Sequence, residues 1–469
     1  MRITFKHRSF ILFILLLLSP LCVEAQDDTV PPGTLDEAIT IFRQGHSEEA
    51  ETALLRLLES GGEKQKLSEI HAWLAAIYKY RRMGMSYKDL KSVEEYYRIV
   101  EDLTNKSLES IERSLEYNPC NGMAYSLLSD SYNPQYSGSE RTDTTLAWMY
   151  ITRAVQCDAH EESAWMSIMI QAMRKGEKEW EQKAMKALAD SNCIPQVYLD
   201  YARLTLQSLP DNALYITFGD MDTYSMLALQ AEKGLRTDVN VICYPLLDMK
   251  WYAEEVSKRS HIPLSDSLLE SIRESLPEDQ QEEFLMGKPI IEYWIALSLE
   301  NRLGRPLCFD RDIMSHAWKL AIPPFVKHYG TFVEYYDPEA ETPLEEEMVI
   351  YSDDESAIAY SRSAMERLHQ HLGETLGPIV AANDYSPIRA SGYGISYGPL
   401  VSLQVFANLL LQKDGASARA KVQTICEDAI KVIERARTFV YTEEAEQTYQ
   451  ELLHDYRYLQ EEADRTEQE

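Results

Sequence analysis

The chain has 469 residues, more than one ordinary hydrophobic core accommodates, so we expect two or three domains. Apolar residues make up 45% and charged residues 26%, which is typical of globular proteins and argues against disorder. The formal net charge is -30. A field of that sign repels nucleic acid and anionic lipid, since both are bound through basic surfaces. The composition therefore argues against a nucleic-acid-binding or membrane-surface protein.

Residues 1–25 have the three parts of a secretory signal peptide. Arg2, Lys6 and Arg8 form a positive start, and residues 10–18 form a short apolar core. Small residues then precede Gln26, so we expect cleavage after Ala25.

Cys22 suggests an alternative, a lipid anchor. Leu21 stands where lipoprotein signals need a small residue, so soluble export is favoured over anchoring. No later stretch reaches 18 consecutive apolar residues. We therefore expect a periplasmic or extracellular protein with no transmembrane segment in the mature chain.

Residues 26–208 are predicted to form a helical repeat domain that is helical from Thr34 to about Ser208, after a short leader, and that contains a degenerate repeat. Residues 114–119, followed by Ala124-Tyr125, recur 40 residues later as residues 154–159, followed by Ala164-Trp165. Each copy ends one amphipathic helix, turns, and starts the next helix with alanine and an aromatic residue. This pattern resembles the tetratricopeptide repeat, whose hairpins stack into a solenoid with a concave surface.

Residues 209–338 are expected to form a small α/β domain. Two β-prone runs flank a helix-forming segment that ends at Gly234, a typical C-cap residue. A helix between two apolar strands predicts a parallel, right-handed βαβ unit. The strands are expected at residues 213–218, 239–244, 305–309 and 330–336.

The remaining chain is predicted to be a linker followed by helices. Residues 339–356 are acidic and are expected to be a solvated linker. Residues 357–469 form a helical region that closes with a helix pair. The predicted fold class is therefore mainly α: tetratricopeptide-like hairpins, an inserted small α/β domain with a parallel, Rossmann-like sheet, and C-terminal helices.

Several short motifs in the α/β segment point to a known family. They are Asp211-Asn212-Ala213, Gly219-Asp220-Met221-Asp222-Thr223, Gly234 to Val239, Arg305-Pro306 and Tyr329 to Tyr335. Residues 205–340 thereby resemble the soluble C-terminal part of protein O-mannosyltransferase-like membrane proteins. They also resemble exported tetratricopeptide-repeat proteins that carry the same segment. The resemblance implies an extracytoplasmic setting. It does not imply transferase activity, because the spanning helices credited with that chemistry have no counterpart here.

The acidic turn after the first strand is the leading candidate site. Asp220 and Asp222 are two residues apart, so both carboxylates can reach one hard cation, Mg²⁺ or Mn²⁺. The alternative is that Asp222 or Thr223 caps the following helix and that Gly219 permits the turn. We favour the cap, and no cofactor is predicted on these grounds alone.

Four further residues are predicted to lie in a crevice at the same sheet edge. Asp248 and Trp251 follow the second strand, and Asp310 ends the third. Arg305 precedes the third strand, and we expect it to bind an anion or, more simply, to form a salt bridge with a carboxylate. The structural alternatives are an N-cap for Asp248 and a core position for Trp251.

Sequence motifs for common enzymes are missing. The chain has no HExxH, no Gly-x-Ser-x-Gly and no glycine-rich phosphate loop, which disfavours hydrolases and metalloproteases of those types. Six cysteines follow the signal peptide without CxxC spacing. Their even number permits disulfides in an exported protein, but buried free thiols are the favoured prediction.

Two function classes remain. The favoured one is a non-enzymatic scaffold that holds a protein or peptide partner of the cell envelope. The alternative is an enzyme or accessory factor of cell-envelope glycosylation, with a metal or sugar-phosphate site at Asp220 and Asp222.

Overall fold

The computed structural model describes residues 33–43, 45–85, 92–134, 142–190, 194, 196–262, 264, 266–275, 287–310, 326–335, 347–351, 357–372, 392–437 and 443–465. The predicted signal peptide and Cys22 lie outside these ranges. The protein is mainly helical, with one small mixed sheet and C-terminal helices, as the sequence predicts. None of the helices described is both long enough and apolar enough to cross a bilayer.

The chain divides into two compact units, residues 1–172 and 173–469. The division falls earlier than the predicted boundary after residue 208. The reason is that the two helices before the first strand pack on the helix that follows that strand, and so join the second unit.

The first unit is built from consecutive helices that pair as hairpins. These helices are α1 (Leu35–Arg43), α2 (Ser47–Glu59), α3 (Lys64–Met83), α4 (Val93–Tyr117), α5 (Gly122–Tyr132), α6 (Thr144–Cys157) and the start of α7 (Glu162–Lys175). Helix α1 packs on α2, α3 on α4, and α5 on α6. The α3–α4 pair is antiparallel, since Ser68 meets Ser114 and Ser107 meets Ala75.

Small buried residues let these helices approach closely. Ser68 and Ser114 each donate a hydroxyl hydrogen bond to the other's backbone carbonyl, at 2.9 and 2.8 Å. Asn121 donates to Ser68 Oγ and caps α5 by accepting from the Ala124 amide. The network is fully buried and ties three helices together, so it fixes their register as well as their distance.

The turn before α5 is joined covalently to the end of α6. Cys120 and Cys157 form a disulfide, which corrects the prediction that all cysteines are free thiols. The spacing of 37 residues gave no hint of the pairing, which depends on the hairpin bringing the two turns together. Cys243, Cys308 and Cys426 are free and buried, as predicted. Cys193 lies outside the described residues.

The second unit contains the sheet and the C-terminal helices. Its helices are α8 (Lys178–Asp190), α9 (Gln196–Ser208), α10 (Asp220–Lys233), α11 (Lys250–Ser260), α12 (Asp266–Ser275), α13 (Gly287–Leu299), α14 (Arg362–His371), α15 (Gly392–Asp414), α16 (Arg419–Arg437) and α17 (Glu443–Arg465). Its strands are β1 (Leu214–Thr217), β2 (Asn240–Cys243), β3 (Leu307–Asp310), β4 (Val326–His328), β5 (Phe332–Tyr335), β6 (Glu347–Tyr351) and β7 (Ala357–Ser361).

The seven strands described form one sheet in the order β2-β1-β3-β5-β4-β7-β6. Strands β2, β1 and β3 are parallel, as predicted for a βαβ unit. The expectation of a wholly parallel sheet is wrong, because β5 pairs antiparallel with both β3 and β4. Strand β6 lies in the segment predicted to be an acidic linker and pairs antiparallel with β7. The sheet therefore extends beyond residue 338, into the region predicted to be linker and helix.

Candidate functional site

The carboxyl ends of the three parallel strands meet at one edge of the sheet. Thr217 ends β1 beside Cys243 at the end of β2, and Asp310 ends β3 on the other side. The loops that leave this edge carry most of the residues that the sequence singled out. In open α/β sheets this edge is the usual ligand position.

The acidic turn is the N-terminus of α10. Gly219 is the N-cap residue, and its amide donates to Asp222 Oδ2 at 3.2 Å. Thr223 Oγ1 donates to the Gly219 carbonyl at 2.6 Å and lies 2.5 Å from Thr217 Oγ1. These contacts agree with the predicted capping role of Asp222 and Thr223. The Asp220 side chain lies outside the described part of the structure.

Gly219 does not serve the purpose expected of it. Its φ of -134° is extended backbone that any residue adopts. A methyl group at this position would meet only Asp222 Oδ2, at 3.7 Å. The turn therefore forms without needing glycine, and what holds it is the pair of contacts from Asp222 and Thr223.

Asp310 is buried and bonded to a buried tyrosine. Tyr215, on β1, donates its phenolic hydrogen to Asp310 Oδ2 at 2.8 Å. Burial raises the pKa of Tyr215 well above its usual value, and the carboxylates of Asp310 and Asp222 add to the effect. Tyr215 therefore interacts electrostatically with both Asp310 and Asp222, and only Asp310 is bonded to it. Tyr215 was missed because it reads as an ordinary strand residue.

Asp248 is a cap, but for a different helix from the one expected. It is the last residue of a short 3-10 helix (Pro245–Asp248), and Met249 takes the N-cap position of α11. Asp248 Oδ1 instead accepts from the amide of Gly287, the first residue of α13, at 2.8 Å. Burial raises the pKa of Asp248, and the Gly287 hydrogen bond lowers it in part.

Trp251 is only partly buried and is not among the fully buried core residues, which corrects the alternative that placed it in the core. Its ring meets that of Tyr252 edge-on, with 5.6 Å between centroids. Tyr252 is the buried member of the pair, and its phenolic oxygen accepts from the Cys243 amide at 3.0 Å. Tyr252, and not Trp251, therefore anchors α11 to β2.

Arg305 lies at the opposite edge of the sheet and does not belong to the crevice. Its Nε donates to the Asn212 carbonyl at 2.8 Å, and its Nη1 donates to the Ser260 carbonyl at 3.1 Å. The Asn240 amide oxygen, turned toward the guanidinium, accepts from Nη2 at 2.7 Å. Burial lowers the pKa of Arg305. Among the residues that the structure describes, Arg305 makes no salt bridge with a carboxylate, because loop carbonyls at the amino ends of the strands use its donors.

The carboxyl edge also carries an aromatic pair that the sequence interpretation missed. Phe218 follows β1, Tyr244 follows β2, and their rings are stacked with 6.3 Å between centroids and 19° between planes. Both side chains are half-exposed. The signal that could have found them is positional, since each is the first residue after a parallel strand.

The geometry of the described residues does not support a metal site at the acidic turn. Over the residues that the structure describes, no three His, Cys, Asp or Glu side chains are placed to hold one ion. Asp222 and Asp248 each accept a helix-capping hydrogen bond, and Asp310 accepts one from Tyr215.

Residues 198–288 match the family model described as TMEM260-associated domain 2. The match begins in α9, contains β1, α10, β2, α11 and α12, and ends at the start of α13. It agrees with the resemblance seen in the sequence over this part and stops before β3. The comparison with curated proteins found no match. The carboxyl edge of β1 and β2, with its capping carboxylates and aromatic pair, is thus the part of the site that lies within the matched domain.

Proposed function

We propose that this chain is an exported protein–protein interaction scaffold and that its first unit holds the partner. The arrangement of hairpins supports the proposal. Helices α1, α3 and α5 pack in sequence, and each hairpin buries apolar residues against the next. Architectures of this kind present extended surfaces to protein partners.

One observation carries the proposal: four large apolar side chains are exposed at the loop end of the α3–α4 hairpin, where α3 passes into α4. Because the two helices are antiparallel, the end of α3 and the start of α4 lie together. Tyr80 and Met83 on α3 are 54% and 47% exposed, and Val93 and Tyr97 on α4 are 55% and 65% exposed. We call these four residues the loop-end patch. Large apolar side chains grouped at a surface mark interaction sites, whereas scattered ones do not.

Export is part of the proposal and has two supports. The N-terminal sequence has the form of a signal peptide. The Cys120–Cys157 disulfide fits an oxidising compartment, because such bonds are rare where thiols are kept reduced.

A site-specific crosslinker tests the proposal. A photo-reactive phenylalanine placed at Tyr97 should give a covalent adduct of defined mass in intact cells. The matched control is the same group at Tyr458 on α17, which is 49% exposed and far from the patch in sequence. No adduct at position 97, or the same adducts from both positions, would contradict the proposal.

A second candidate, an accessory role in envelope glycosylation, rests on the TMEM260-associated domain match at residues 198–288. It requires a ligand at the acidic turn. Mn²⁺ or Mg²⁺ with a nucleotide sugar should then raise the melting temperature of the full chain, and Asp220→Asn with Asp222→Asn should abolish the shift. An unchanged melting temperature at millimolar metal would exclude this candidate.

A further inference from the structure

Residues 79–98, which include the loop-end patch, form a basic segment in an acidic chain. The segment contains six lysine and arginine residues and three aspartate and glutamate residues, whereas the whole chain contains 46 and 76, respectively. Dissolved salt screens charges beyond about 8 Å at physiological ionic strength. A partner that contacts the patch therefore responds to the local excess of basic residues more than to the net charge of -30.

Two of the three acidic residues in this segment serve the start of α4. Glu94 and Glu95 lie in the first turn of that helix, where the helix dipole favours negative charge. The Glu95 amide also donates to Ser92 Oγ at 3.1 Å, which caps the helix. The third acidic residue, Asp89, lies outside the described residues.

Two of the basic residues are neutralised within the fold. Lys79 pairs with Asp130, with 2.5 Å between Nζ and Oδ2, and Arg81 pairs with Glu51, with 2.5 Å between Nη1 and Oε2. These two ion pairs hold α3 to α5 and to α2. Their charges are therefore not those that a partner would meet first.

Arg98 and Arg82 supply positive charge next to the patch. Arg98 follows Tyr97 on α4, is exposed, and makes no ion pair with any residue that the structure describes. Arg82 precedes Met83 on α3. Burial is the largest influence on the pKa of Arg82 and lowers it, while the Asp130 carboxylate raises it. A carboxylate brought to this surface would offset the lost hydration of Arg82 and give Arg98 an ion-pair partner.

The exposed tyrosines add hydrogen-bonding groups to the same surface. The hydroxyls of Tyr80 and Tyr97 make no hydrogen bond within the described part of the chain. A guanidinium group only donates hydrogen bonds, a phenol can donate one, and a carboxylate accepts from both. The rings and the neighbouring Met83 and Val93 supply the apolar contact area.

These features select among protein partners. A basic segment would be repelled by Arg82 and Arg98. A second copy of this chain, docked patch to patch, would bring two Arg98 guanidinium groups together without a carboxylate between them. A segment that carries both carboxylates and an apolar side chain satisfies the charge and the apolar area together.

We propose that the loop-end patch binds an acidic segment of a partner protein. An aromatic or aliphatic side chain of that segment contacts the exposed residues of α3 and α4, and its carboxylates pair with Arg98. The inference rests on the proposed function and adds the chemistry of the partner to it.

Photo-crosslinking from position 97 in intact cells tests the sign of the partner's charge. Arg98→Glu should lower the adduct yield, relative to the amount of full chain, at least about threefold, because it places like charges opposite each other. Arg98→Gln only removes the charge and should give an intermediate yield. Arg113→Glu is the matched control, since this exposed residue lies roughly 22 Å further along α4 at the usual helical rise, and it should leave the yield unchanged.

The crosslinked peptide of the partner, sequenced by mass spectrometry, should contain more acidic than basic residues. If Arg98→Glu does not accumulate in cells, the fall in yield with Arg98→Gln decides. No adduct from position 97 in any background would contradict the proposed function and this inference together. An adduct whose yield Arg98→Glu leaves unchanged or raises, a crosslinked peptide that is neutral or basic, or an adduct with a second copy of this chain overturns this inference alone.

Discussion

Removing the Cys120–Cys157 disulfide should destabilise the first unit by up to about 4 kcal/mol. The bond closes a loop between residues 37 apart, and loop-closure entropy for that length lies between about 3 and about 4.7 kcal/mol. Cys120 is exposed on a turn, so serine fits there without a cavity. The loss of stability should therefore come from the greater conformational freedom of the unfolded chain and not from lost packing.

Hydrogen exchange on the full chain measures this effect. The double variant Cys120→Ser, Cys157→Ser should lower the opening free energy of the slowest amides in α5 and α6 by about 3–4 kcal/mol. Wild-type protein treated with dithiothreitol should behave like the variant. Amides of α16, in the second unit, are the internal control and should not change. A loss below about 1 kcal/mol in α5 and α6 would refute the loop-closure reasoning.

Three further changes test other parts of the structure. Gly122→Ala should destabilise the first unit by about 1–3 kcal/mol in a urea titration, because the new methyl group would lie 2.6 Å from Asp158 Cβ. Gly33→Ala is the control and should change the free energy of unfolding little, because there is open space around that residue. Asp222→Ala should lower the free energy of unfolding by about 1 kcal/mol, because it removes the acceptor for the Gly219 amide at the start of α10. An equal loss from Asp211→Ala would show that the cap does not matter. Hydrogen bonds from Arg236 lower the pKa of Asp238, so the ionised Asp238 stabilises the fold above the usual carboxyl pKa, and this stabilisation is lost as the pH falls. Asp238→Asn should therefore flatten the acid side of the curve of unfolding free energy against pH. An unchanged curve would contradict this role.

The local pattern of the sequence predicted the first part of the sheet well. Strands β1 and β2 and the helix between them are where apolar runs and Gly234 placed them, and Gly234 has the left-handed conformation of a C-cap. Alternation and capping are properties of neighbouring residues, so one sequence suffices to find them.

Strands β4, β6 and β7 were missed because the features that make them strands are not local in sequence. Strand β6 has the acidic composition of a solvated segment, and what makes it a strand is its pairing with β7. The mixed topology likewise depends on β5 lying between β3 and β4, which no short pattern encodes. The disulfide has the same origin, since two distant turns meet only once the hairpins pack.

The candidate site was predicted in part. Chain position placed Asp222, Asp248 and Asp310 at the carboxyl edge because each ends or follows a parallel strand. The same rule should have placed Arg305 at the amino edge, since it precedes β3. What each carboxylate bonds to could not be read from the sequence, because Gly287 and Tyr215 are distant in the chain from the carboxylates they meet.

The central claim is that the first unit binds the partner and that the acidic turn is structural. Binding isotherms with the partner identified at Tyr97 test both parts together. Tyr80→Ser with Tyr97→Ser should weaken binding at least about tenfold, whereas Asp220→Asn with Asp222→Asn should leave it unchanged. The reverse result, with binding lost in the acidic-turn variant and kept in the loop-end-patch variant, would contradict the account.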